Sequence, residues 1–339
     1  MSLPGQLKQS IKAPLELLAA RFGPQHSSSQ PKMWSLMYHR ILPPSDPRFA
    51  AEEPGMMVEP ETFRQHLQQL KQLFTILPLS EWVQRQQSGK AIPNNTCTIT
   101  FDDGWADNYQ YAFPILQQEQ VPATLFAVSD MIGGTQPFWP NRVARLLTQG
   151  SPEQLNELVW LRPFITAGRS AGVATLNAEQ ISAVIQQLKA LPDDAIADHL
   201  CAAEALLAIH GDHSQPLVNW DQLREMSNSG LVEVGSHTCH HYRLQHSLDP
   251  AVMASEIINS QQRLQEELNK PVDLFCYPNG DVCPAAVDLV RSHYKAAVTT
   301  QRGINSNTQT DLHQLMRIGV HQDISNTTTK FQSRLANWF

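Results

Sequence analysis

The chain has 339 residues, 42% hydrophobic and 17% charged, a balance that suits a folded globular body and excludes wholesale disorder. Its formal net charge is −7 and no basic stripe runs along it, which excludes nucleic acid as the expected partner and favours a neutral or weakly charged ligand. No stretch reaches the ~18 apolar residues of a membrane span, and the five cysteines are scattered and odd in number, which points to free thiols in a reducing compartment rather than a disulfide framework.

The first 23 residues show no long apolar run followed by a small-residue cleavage site, so a cytoplasmic location is expected. Leu15, Leu17, Leu18 and Phe22 predict a short amphipathic helix that docks on the body; peripheral membrane contact through it is the second reading. A polar, Ser- and Pro-containing stretch at 23–31 reads as a linker, so residues 1–30 form an N-terminal extension and 31–339 the main domain. Trp34–Tyr38 reads as a strand ending at His39, and residues 43–55, with four prolines and a glycine, as a loop. Phe63, Leu67, Leu70 and Phe74 recur at helical spacing after Pro60. Thr96–Phe101 and Ala123–Val128 read as strands, with a helix over 107–119 between them.

Residues 140–216 break this rhythm. Val143, Leu146, Leu147, Ile181, Val184, Ile185, Leu188, Leu200, Leu206 and Leu207 fit helices only, so the segment reads as a helical insertion within one domain. A helix over 220–229 stops at Gly230, a strand follows at Leu231–Gly235, and Asp249-Pro250 opens a long helix. Strands near 272–277, 295–299 and 316–320 and a closing helix through Phe331 and Leu335 complete the chain. Repeated strand–helix order predicts an α/β fold, a parallel sheet with helices outside, open or closed into a barrel.

In such folds reactive groups gather at the C-terminal ends of the strands. His39, Asp102, Asp103 and His237 all fall there. Asp102 and Asp103 are adjacent on extended chain, so their side chains point apart: one can bind a metal while the other faces a substrate, unless both simply cap a solvated turn. His237 and His241 are four residues apart, a spacing that lets two imidazoles converge on a Zn²⁺ ion while Cys239 and His240 point elsewhere. The Pro278-Asn279-Gly280 turn can present a backbone N–H to an oxyanion. Arg317 lies within a strand and, if it points inward, needs a carboxylate partner; a surface edge position is the alternative.

Together these residues resemble the polysaccharide deacetylase family of NodB-type carbohydrate esterases. Thr100-Phe101-Asp102-Asp103-Gly104 is similar to the family's first motif and His237-Thr238-Cys239-His240-His241 to its second, within a likeness that covers about residues 33–325. The resemblance implies a distorted (β/α) barrel of about seven strands. It implies Asp102 as general base and Asp103, His237 and His241 as ligands of a divalent metal, with Zn²⁺ expected. Two departures stand out. Cys276 falls where many members carry the arginine that orients the base, which leaves Arg317 as the substitute, and Asn279 falls where an aromatic residue is usual. The family's late Leu-x-His motif has no match, so the general acid is assigned to His39, with His321 second.

The expected substrate is an N-acetylated sugar, a glycan or glycan precursor of surface polysaccharide metabolism. Trp105, Trp139 and Tyr242 are candidate stacking surfaces for it, each equally explicable by packing. The alternatives are an amidase on a non-sugar amide, an O-acetyl esterase, and a catalytically inactive glycan-binding domain.

Overall fold

In the computed structural model, the described residues are 5–49, 52–168, 176–208, 216–306 and 310–338. The strands in chain order are β1 (Lys32–Tyr38), β2 (Arg40–Ile41), β3 (Met57–Val58), β4 (Thr75–Ile76), β5 (Asn95–Phe101), β6 (Ala123–Ala127), β7 (Val232–Ser236), β8 (Leu274–Cys276), β9 (Ala296–Arg302), β10 (Asn305–Ser306) and β11 (Leu315–Gly319). Seven of them, β1, β5, β6, β7, β8, β9 and β11, pair in parallel, each with the next. Because β1 pairs with both β5 and β11, the sheet closes into a barrel, as the resemblance implies. The two-residue β4 extends β5 in parallel, β10 lies antiparallel to the start of β1, and β2 and β3 form a separate ribbon.

Strand alternation sorts the core into two layers. Trp34, Leu36, Tyr38, Ile99, Phe101, Leu125, Phe275 and Ile318 face outward into the main hydrophobic core. They meet Phe63, Leu67 and Leu70 of α2 (Pro60–Leu73), Leu223 of α10 (Trp220–Asn228), Ile257 and Leu264 of α11 (Pro250–Leu268) and Val290 of α12 (Pro284–His293). The intervening residues Met33, Phe126, Leu274, Cys276, Ala296, Val298 and Leu315 fill the barrel, joined by Leu79, Trp82 and Val83 of α3 (Leu79–Ser88). Phe126 requires Gly235 beside it: a Cβ at that position would lie 2.5 Å from the Phe126 ring. The expected helix over 107–119 begins with a π-helical turn at Asn108–Ala112 before α4 (Phe113–Glu119).

The insertion is helical as expected: α5 (Trp139–Gln149), α6 (Pro152–Glu157), α7 (Arg162–Gly168), α8 (Ala178–Leu188) and α9 (Asp193–Leu207). Residues 169–175 and 209–215 of it lie outside the described residues. It has its own hydrophobic cluster, in which Val143, Leu146, Leu161, Val184, Leu188, Ile196 and Leu200 are buried.

The N-terminal extension departs from expectation. The helix forms as α1 (Gly5–Phe22) and lies against α14 (Thr328–Ala336), which follows the short α13 (Gln322–Ser325). The leucine stripe is not its docking face: Leu15, Leu17, Leu18 and Phe22 are exposed, whereas Ala19 and Ala20 are buried. The small residues permit close approach to α14, where long ones would not fit. The expected linker is tied down as well. Gln25 is fully buried, its Nε2 donates to the carbonyls of Ala19 at 3.1 Å and Ala20 at 3.2 Å, and Asn95 Nδ2 donates to its carbonyl at 2.8 Å. Among the described residues no helix is long and apolar enough to cross a membrane.

Candidate active site

The C-terminal end of the barrel opens into a cleft floored by His39, Asp102, Asp103, His237 and His241 and walled by Trp105, Phe138 and residues of α5 and α8. The two aspartates diverge as adjacent residues on a strand end must. Asp102 turns into the barrel, where Arg317 reaches it from β11 and donates Nη1 to Oδ1 at 2.6 Å and Nη2 to Oδ2 at 2.7 Å. Arg317 has no exposed surface, so the edge position is excluded. Its remaining donors go to Thr299 O at 2.8 Å, Thr100 Oγ1 at 3.0 Å and Cys276 Sγ at 3.2 Å. The guanidinium therefore comes from β11 and packs against Cys276 on β8, whose thiol leaves it room. Burial pushes the Asp102 carboxyl up, but the charge and hydrogen bonds of Arg317 hold it below the usual carboxylate range.

Asp103 turns the other way, with φ at 76°, a left-handed conformation that non-glycine residues rarely adopt. Its Oδ1 lies 3.3 Å from His237 Nε2 and 3.4 Å from His241 Nε2, while Oδ2 accepts the Trp105 indole N–H at 2.8 Å. His237 Nδ1 lies 2.8 Å from the Cys276 carbonyl, so it carries the proton and Nε2 is left to face Asp103. The loop that carries His241 bends through Thr238 at φ 68° and His241 at φ 63°, closed by a His241 N–H bond to Thr238 Oγ1 at 2.9 Å. Cys239 and His240 point away, as expected: Cys239 Sγ is directed to Ser255 O, and His240 Nδ1 meets Glu256 Oε1 at 2.6 Å.

This donor set fits a divalent cation. Asp103, His237 and His241 each offer an atom within 4.8 Å of the others, one oxygen and two nitrogens. Burial pushes the His237 imidazole down, yet Cys276, the hydrogen bond to Asp103 and nearby Asp102 lift it well above its ordinary value. The point where these groups converge thus favours positive charge. A competing grouping of Asp102, His237 and Cys276 is disfavoured, because both Asp102 oxygens are committed to Arg317. A third, Asp130, Cys239 and His240, lies off the cleft, with His240 Nδ1 engaged by Glu256.

His39 lines the cleft with Nε2 at 3.9 Å from Asp102 Oδ2, whereas His321 does not line it, which favours the first choice of acid over the second. Asn279 lines the cleft at φ 55°, and the following Gly280 at φ 74° is obligatory, since a Cβ there would lie 1.8 Å from Thr300 Oγ1. Of the three aromatic candidates, Trp105 lines the cleft but Trp139 and Tyr242 do not; Trp139 packs against the insertion's own core and Tyr242 stands beside His240. The aromatic wall is instead Phe138, 4.9 Å from the His241 ring and 5.1 Å from that of Trp105. Sequence reasoning missed Phe138, and also Glu53 and Lys189 in the cleft walls.

Known proteins resemble this chain in sequence and in fold. The polysaccharide deacetylase family model matches residues 89–159 and 170–298, more than half of the chain. A Bacillus subtilis (strain 168) protein named for the same family, YxkH, is 33% identical over 105 residues, 30% of this chain, and the match spans only 34% of that relative's length. Among solved structures, the Streptococcus pyogenes deacetylase PplD in complex with acetate superposes with a TM-score of 0.56 at 20% identity, covering 88% of this chain and 96% of that one. IcaB from Ammonifex degensii superposes at 0.56 and 18% identity (90% and 98% covered), and a de-N-acetylase from Aggregatibacter actinomycetemcomitans at 0.55 and 18% (89% and 99%). At these identities the structures speak for the fold alone. The family model rests on the segments that carry the two motifs, and by that match the chain belongs to the polysaccharide deacetylase family.

Proposed function

We propose that this protein is a metal-dependent hydrolase that removes the N-acetyl group from a carbohydrate, a glycan or glycan precursor of surface polysaccharide metabolism. The observation that carries the reading is the division of labour between neighbours. Asp103 joins His237 and His241 around one point, while Asp102, held ionised by Arg317, stands beside it without joining them. A divalent cation held by Asp103, His237 and His241, with Zn²⁺ the expected one, would polarise the acetyl carbonyl and acidify the attacking water.

The chain's own groups would do the rest. Asp102 accepts the proton of that water, and Arg317 fixes which way its carboxylate faces. The backbone N–H at Asn279 steadies the oxygen that gains charge in the tetrahedral state. His39 delivers a proton to the departing nitrogen, leaving acetate and a free amino sugar. Trp105 and Phe138, 3% and 6% exposed, exclude water from one side of the cleft, and the Arg40 guanidinium covers one face of the Trp105 ring. Asp102→Asn is expected to abolish acetate release from N-acetylated sugars while retaining the cation; normal turnover by that variant would sink the assignment. Acetate release across a panel of N-acetyl sugars, O-acetyl sugars and small amides separates this reading from the esterase and amidase alternatives.

Location is part of the same proposal. Its support for a cytoplasmic protein is the state of the five cysteines, all free, and cell fractionation checks it. Peripheral membrane contact is supported only by the exposed Leu15, Leu17, Leu18 and Phe22 of α1, and vesicle flotation of the Leu17→Ser, Phe22→Ser double variant against the unmodified protein tests it.

A further inference from the structure

Three charged side chains line the cleft away from the strand-end group; Glu52 is paired with Arg40, which leaves Glu53 and Lys189. Glu53 comes from the loop between β2 and β3, and Lys189 from the residue that caps α8 in the insertion. Among the described residues they are not ion-paired with each other, and one carboxylate oxygen of Glu53 is buried with no protein donor. A buried acceptor left open in a ligand cleft calls for an explanation.

Both side chains grow from backbone that is held fast. Arg40 is buried on Asp107, donating Nε at 3.0 Å and Nη2 at 2.8 Å to Oδ2, and it also pairs with Glu52. Glu52 Oε1 in turn accepts the Glu53 N–H at 3.1 Å, and the Glu53 carbonyl accepts the Met56 N–H at 2.9 Å. On the opposite wall Arg243, only 3% exposed, donates Nη1 to Lys189 O and Nη2 to Leu191 O, each at 2.6 Å, and Nε to Asp193 Oδ1 at 2.9 Å. Arg40 directly follows His39, and Arg243 follows His241 by two residues. Each wall is thus fastened by a buried arginine to a segment that carries a site histidine.

A carboxylate only accepts hydrogen bonds and an ammonium only donates them. A sugar ring, with a hydroxyl on most carbons, can satisfy both at once; a small apolar amide has one N–H and one C=O, both taken up at the reacting centre, and nothing left for either arm. Met56, Ala144 and Ile185 supply the apolar surface between them, as the faces of a sugar ring require. We propose that Glu53 and Lys189 are the two arms of a clamp that grips the hydroxyls of a neutral sugar ring, so that the β2–β3 loop and the insertion together select carbohydrate over small amides. This rests on the deacetylase reading above.

The test uses a trimer of N-acetylglucosamine as probe and the full chain throughout. Binding is titrated calorimetrically in the Asp102→Asn background, and acetate release is followed in the otherwise unmodified protein. Glu53→Gln and Lys189→Met are each expected to weaken binding about 10-fold, the loss of one charge-assisted hydrogen bond. They raise KM and leave kcat within about two-fold. The double variant loses less than the product of the two, because both arms hold one ring, and Lys189→Arg, which keeps a donor, restores binding. Unchanged affinity, a fall in kcat at constant KM, or an equal loss on acetanilide would overturn the clamp. The two readings fail separately. Deacetylation by the unmodified protein with no effect of either substitution removes the clamp alone. Trimer binding that depends on both residues, without acetate release, removes the deacetylase reading alone.

Discussion

Replacing Arg317 by methionine keeps most of the side-chain volume and removes the guanidinium paired with Asp102. Asp102 is 2% exposed and accepts two charge-assisted hydrogen bonds from Arg317, at 2.6 and 2.7 Å. Each such bond contributes about 1.5–3 kcal/mol, and removal of one partner of a buried pair costs about 3–5 kcal/mol because the other is left charged and unpaired. Urea unfolding of Arg317→Met should therefore show a loss in that range, and kcat for acetate release should fall with it, since a carboxyl relieved of Arg317 is pushed up by burial and spends more time protonated. Adding Asp102→Asn to Arg317→Met removes the unpaired charge and should recover part of the lost stability without restoring activity. A loss below about 1 kcal/mol, or no recovery in the double variant, would refute the claim that the pair is desolvated and that Arg317 is what keeps the base ionised.

Two further outcomes follow from other contacts. Trp105→Phe keeps the ring but deletes the N–H that meets Asp103 Oδ2 at 2.8 Å, so affinity for the cation should drop on the order of 10-fold in chelator competition, with the fold retained; unchanged affinity would mean Asp103 needs no support from the indole. His66 is buried, stacked on Phe331 at 3.8 Å, and burial pushes its imidazole down from 6.5 to about 4, so the unfolded chain binds more protons between those values. Stability should be complete above about pH 6.5 and decline by about 3 kcal/mol as pH falls toward 4, and urea unfolding of His66→Gln should show a flatter slope across that window; an identical slope would place the titration elsewhere.

How much could be read in advance depended on the range of the interaction. The barrel strands and insertion helices were legible because their periodicity is local, and the placement of Asp102, Asp103 and His237 followed from strand ends alone. Arg317 stayed open between an inward position that needs a carboxylate and a surface edge, because its partner Asp102 lies 215 positions away. The left-handed backbone at Asp103, Thr238 and His241, which aims those side chains, carries no glycine signal and could not be seen. Trp105 was a stacking candidate equally explicable by packing, and its hydrogen bond to Asp103 went unforeseen because indole donors leave no pattern in sequence. The face of α1 was misjudged because apolar residues were equated with contact, whereas close approach to α14 selected Ala19 and Ala20 and left Leu17 and Phe22 outside.

In the proposed function Asp103, His237 and His241 hold one cation on which deacetylation depends. The direct measurement is acetate release from the N-acetylglucosamine trimer by chelated protein as Zn²⁺ is titrated back. No release is expected without the cation, with full recovery at about one equivalent per chain and no recovery at that level in His237→Ala. Undiminished acetate release from the chelated protein, or recovery in His237→Ala equal to that of the unmodified chain, would contradict that dependence.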